Sequence, residues 1–173
     1  MLWFMALREI LVWPEDCLKK KAEEIRDIDF HLVSLAEDMV QTMYAAPGVG
    51  LAAPQVGESK RLIVLDPHAK ESPGDPMVVV NPVIAEGIGK EFGEEMCLSV
   101  PNFAVEVPRY TKILIKGLDL KGKPIEIEAE GFLARILQHE IDHLNGQVII
   151  GYASSLKRSI YLKKAKKAKK GKV

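Results

Sequence analysis

Hydrophobic positions recur at two different periods along this chain. Between Phe30 and about Tyr44, Leu32, Leu35, Ala36, Met39, Val40 and Met43 fall three or four residues apart, the spacing of one helix face. Asp29 stands where a side-chain oxygen can cap the first turn of that helix. Arg61–Asp66 and Met77–Asn81 read as strands, the second closed by Pro82. Pro67 to Pro76 is polar and proline-rich, a surface loop that carries His68. Val105–Pro108, Lys112–Lys116 and Ile125–Ala129 are further strands, the last alternating Ile125, Ile127 and Ala129 with Glu126 and Glu128. Gly131–Leu137 is apolar on nearly every side, which predicts a buried helix running on to a stop at Gly146. The alanines and lysines after about Ser154 predict one more helix. Short strands without alternating parallel units give an α+β fold: mainly antiparallel strands packed around a buried helix, with an N-terminal helix and a basic C-terminal helix.

Composition narrows the class. A chain of 173 residues, 47% hydrophobic and 28% charged, is an ordinary globular domain by size and content. No apolar run approaches the roughly 20 residues that span a membrane. The opening Met1–Leu7 is apolar, but Arg8 and Glu9 follow at once and no basic segment precedes it, which does not read as a signal peptide; Met5 is a second candidate start. Two cysteines make no disulfide framework, and a cytoplasmic location is expected. The net charge of zero conceals a division. Nine basic residues and no acids follow Ser155, leaving 15 basic residues against 24 acidic ones in the remainder, a net of −9. The chain therefore divides into a body, residues 1–156, and a Lys-rich tail or helix extension, 157–173. The tail is either a polyanion-binding element or a solvated terminus.

The chemistry concentrates in Gln138-His139-Glu140-Ile141-Asp142-His143. On a helix, His139 and His143 lie four residues apart on one face and can hold a single metal ion, while Glu140 projects beside them, within reach of a water at that metal. A third ligand downstream would mark a common zinc peptidase, but from Leu144 to Val173 there is no His, Cys, Asp or Glu. It must come from upstream, where Cys17, Cys97, His31, His68 and several carboxylates are available. Cys97, between apolar Met96 and Leu98 after a glycine-rich strand end, is the best of these. His31 and His68 read as surface side chains. A thiolate with two imidazoles suits Zn²⁺ or Fe²⁺ and leaves a position for water. Asp142 reads as a supporting acid, bonded to a ligating imidazole or paired with a cation such as Arg109.

Three segments, in order, resemble the peptide deformylases: Gly48 to Gln55, Glu95 to Ser99, and Gln138 to His143. The likeness extends over roughly Leu7 to Leu156 and includes Tyr44 and Pro108-Arg109. It implies removal of the formyl group from N-terminal formyl-methionine of nascent polypeptides, releasing formate. It also implies one divalent metal ion on Cys97, His139 and His143, Fe²⁺ in the cell and Zn²⁺ or Ni²⁺ in preparations. Glu140 would be the general base, the Gln55 amide and the Leu98 backbone N–H the oxyanion donors, and Val49 and Gly50 substrate contacts. In Met96 the chain departs from the family, which has glycine there; along the peptide's path this side chain would alter substrate affinity. Ala52 and Ala53 are expected to form a narrow end that excludes acetyl groups. The tail matches the place of a C-terminal helix that docks on the ribosome in some members. Two other readings compete: a general metallopeptidase, and a catalytically weak ribosome-binding homologue. The intact Cys97, His139, Glu140 and His143 set argues against the second.

Overall fold

The computed structural model describes residues 6–170, without the side chains of Lys169 and Lys170; the two candidate starts, Met1 and Met5, lie outside it. Among the described residues the α-helices are α1 (Phe30–Ala45), α2 (Gly131–Leu144) and α3 (Ser155–Lys170). The strands are β1 (Gly50–Ala52), β2 (Leu62–Leu65), β3 (Met77–Ile88), β4 (Glu91–Cys97), β5 (Val100–Arg109), β6 (Lys112–Leu118) and β7 (Pro124–Glu130). Five of them form an antiparallel sheet in the order β1-β2-β3-β6-β7, and β4 pairs with β5 in a separate antiparallel ribbon. This is the expected α+β arrangement.

The helix α1 begins where its cap predicts, with Asp29 Oδ1 accepting the Leu32 N–H at 2.9 Å. Its six predicted stripe positions are all buried. β2 shows how the two helices are held apart. Leu62 and Val64 join the cluster around α1, while Ile63 and Leu65 join the cluster around α2, so alternate side chains of one short strand serve two cores. That sandwich fixes α2 against the large sheet, and Gly146 takes φ 73° just beyond its end.

Three expectations need correction. β3 runs through Pro82 to Ile88, because Asn81 turns to φ 51° and the register shifts between Val80 and Val83, so the proline sits in a bulge. The side chain of Asn81 is fixed there by bonds to the backbone of Ile25. α2 is not buried all round, since Phe132 in its first turn is exposed and faces a cleft. Ala52 and Ala53 are fully buried in the two cores and do not form the cleft wall. Among the described residues no helix is long and apolar enough to cross a membrane.

Candidate metal centre and active site

A cleft of about 480 Å³ opens between the β4–β5 ribbon and the N-terminal half of α2, and the Gly48–Gly50 loop closes one side. Val49, Gly50, Gln55, Met96, Cys97, Leu98, His139 and Glu140 line it, so the predicted site residues converge from three stretches of sequence. His143 lies beneath, one turn further along α2. His31 and His68 are exposed, and Cys17 lies in a separate 3-10 turn, Asp16–Lys19.

Cys97, His139 and His143 form a group whose donor atoms all lie within 4.8 Å of one another. Cys97 Sγ is 3.3 Å from His143 Nε2, and the two imidazole centroids are 5.1 Å apart. Ligand bonds of ordinary length in a tetrahedral site would put sulfur and nitrogen about 3.6 Å apart, so small adjustments would seat a divalent ion. Donor type, spacing and burial therefore fit a metal.

The surrounding carboxylates divide the labour. Glu95 Oε2 lies 2.9 Å from His139 Nδ1 and accepts its proton, which turns the other ring nitrogen toward the cluster. Arg109 donates to both oxygens of Glu95 at 2.9 Å and reaches Asp142 Oδ2 at 2.6 Å; Tyr152 Oη also donates to that oxygen. Burial alone would raise Glu95, but the bonds from Arg109 and His139 outweigh it and hold the carboxyl down at about 2. Of the two roles read for Asp142, the structure shows the pairing with Arg109. The bond to the imidazole comes from Glu95, a role the sequence reading missed. Its signal was available, because Glu95 is two residues before Cys97 on a strand and so shares its face.

Glu140 is buried without such donors, and burial pushes its carboxyl up to about 7. Among the described residues its Oε2 has no hydrogen-bond partner, and neither does His143 Nδ1. Gly50 makes the arrangement feasible, since a Cβ there would overlap the Glu140 carboxylate. Gln55 is oriented from behind: Oε1 accepts the Ala52 N–H at 2.9 Å, which leaves its amide N–H groups directed at Ser99 Oγ, 3.1 Å, and Cys97 Sγ, 3.7 Å. Gln138, first residue of the helix motif, clips α2 to the end of β5 by bonding both backbone groups of Tyr110.

The family model described as polypeptide deformylase matches residues 7–159. Peptide deformylase of Thermodesulfovibrio yellowstonii is 50% identical over 165 residues, covering 95% of this chain and all of that protein. A peptide deformylase 2 of Vibrio vulnificus is 44% identical over 167 residues, covering 96% and 98%. Among solved structures, a peptide deformylase from Legionella pneumophila superposes with TM-score 0.89 at 45% identity, covering 96% of this chain and 98% of that one. The Ehrlichia chaffeensis enzyme in complex with actinonin gives 0.88 at 40% identity, covering 95% and 98%.

Proposed function

The chain belongs to the polypeptide deformylase family of metal-dependent hydrolases, which remove the formyl group from N-terminal formyl-methionine, and from that premise we propose a role for each residue of the site. Cys97, His139 and His143 hold one divalent metal, Fe²⁺ in the cell, with Zn²⁺ or Ni²⁺ accepted by the same borderline donor set. The observation that carries this reading is the meeting of a buried thiol from β4 with two imidazoles from α2, beside a carboxylate oxygen that no described residue bonds. A metal held by these residues would lower the pKa of a water to about 7 and polarise the formyl oxygen.

The chain's own groups then carry the reaction. The Gln55 amide, held by Ala52, and the Leu98 backbone N–H donate to the formyl oxygen as negative charge develops on it. Glu140 takes the proton from the attacking water and returns it to the leaving amine nitrogen as the carbon–nitrogen bond breaks and formate departs. With Ala52 and Ala53 in the core, the limit on acyl size falls to Gly50, Gln55 and Cys97 around the reacting carbon. Val49 and Gly50 contact the peptide along one side of the cleft, and Met96, 66% exposed, contacts it along the other. Steady-state formate release should be seen with formyl-Met peptides, and no cleavage with unmodified peptides; cleavage of the latter would favour a general metallopeptidase. Met96→Gly is expected to change KM several-fold with the metal content intact, because its side chain points away from the ligand face of β4. Loss of metal in that variant would contradict the assignment.

A second part of the proposal concerns α3 and the stretch 157–173. Tyr161 is buried against Trp13 and Phe103, which anchors the helix on the body, while Lys163, Lys164, Lys166 and Lys167 are exposed. We assign this lysine face to ribosomal RNA, consistent with nascent chains as substrates in the cytoplasm. Changing these four lysines to glutamine, which spares the Tyr161 anchor, should reduce ribosome co-sedimentation and flatten its salt dependence. An unchanged bound fraction would leave the tail as a solvated appendage.

A further inference from the structure

We propose that Arg135 is a positioning residue of the metal centre, a clamp that sets the separation between the strand supplying the sulfur and the helix supplying the nitrogens, and that Gly93 leaves the room its guanidinium needs. This rests on the ligand reading above.

The need for a clamp follows from the topology. Cys97 belongs to the two-stranded ribbon, whereas α2, with both histidines, packs on the five-stranded sheet, and the two sheets are not hydrogen-bonded to each other. The bite of the site is therefore set by side chains that cross between the layers. Arg135 lies one helical turn before His139, on the same face of α2. Its Nη1 donates to Glu95 Oε1 at 3.0 Å and to the Val107 carbonyl at 3.1 Å, and its Nη2 reaches the Glu91 carbonyl at 3.4 Å. One guanidinium thus binds a side chain and backbone of β4, backbone of β5, and, through Glu95, the acceptor that orients His139. Arg109 fixes the same carboxylate from β5, so Arg135 ties the helix to a group already rigid in the ribbon. Only 17% of the Arg135 side chain is exposed, which makes these bonds stronger than those of a surface arginine. A Cβ at Gly93 would stand 2.8 Å from Arg135 Cζ and Nη2, so even alanine displaces the guanidinium while leaving its charge in the protein.

The test is Zn²⁺ affinity by chelator competition for the full chain, with Arg135→Met, Arg135→Lys, Gly93→Ala and the Arg135→Met/Gly93→Ala pair. Arg135→Met should weaken binding about 10–100-fold, the range for groups that orient ligands. Arg135→Lys should recover part of the loss, since an ammonium cannot reproduce the fork. Gly93→Ala should weaken binding in the same direction, and the double variant should be no worse than Arg135→Met alone. The Co²⁺-loaded variants should show altered absorption from changed ligand geometry. If Arg135 only supports the fold, Arg135→Met will lower the unfolding midpoint of the metal-free protein and leave Zn²⁺ affinity within about twofold of wild type, and the proposal fails. Normal affinity in Gly93→Ala overturns the part assigned to Gly93. Cys97→Ser run in parallel separates this failure from a wrong ligand set, because unchanged Zn²⁺ affinity there would remove the ligand reading itself.

Discussion

Glu140→Gln is expected to lower kcat for formate release by about 10²–10⁴-fold while the metal content stays at the wild-type level. The side chain is buried beside the ligand cluster, Gly50 makes space for its carboxylate, and no described residue bonds its Oε2. Glutamine has the same size and keeps the packing against Gly50, but it cannot accept a proton from water. The loss should therefore fall on kcat with little change in KM. Formate release and metal analysis on the same preparations check both halves. A glutamine variant with near wild-type kcat would take Glu140 out of the proton path, and a metal-poor one would make the loss a failure of binding.

Arg109→Met should cost about 3–5 kcal/mol of stability, the effect of removing one partner from a buried ionic network. Arg109 and Glu95 are each only 5% exposed, and the same guanidinium reaches Asp142. Without it two carboxylates remain close together in a largely closed space, and Glu95 loses two of the donors that hold it ionised. The consequence should reach the site, because Glu95 orients His139. Urea denaturation at matched metal loading gives the stability term, and metal titration the second. A loss under about 1 kcal/mol would mean that solvent or neighbouring cations compensate for the missing charge.

Local chemistry made much of this legible in the sequence. The α1 stripe, the Asp29 cap, the helix carrying both histidines and the choice of Cys97 over Cys17, His31 and His68 follow from periodicity, burial and motif spacing. The extent of β3 was not legible, because a proline normally ends a ladder and only tertiary bonds to Asn81 show that it sits in a bulge. The exposure of Phe132 and the burial of Ala52 and Ala53 were missed for a related reason. Hydrophobicity says that a residue suits a core, but not which of two facing layers it meets. Strand alternation puts Glu95 on the face of Cys97, but its pairing with His139 and Arg135 joins β4 to α2 across 44 and 40 residues of sequence, and no local pattern encodes that contact.

At the heart of the site one sulfur and two imidazole nitrogens would share a divalent ion. Absorption of the Co²⁺-loaded protein tests that sharing most directly. About one equivalent of Co²⁺ should bind per chain, with a thiolate-to-metal charge-transfer band that disappears in Cys97→Ser. The same band at the same intensity in Cys97→Ser would contradict it.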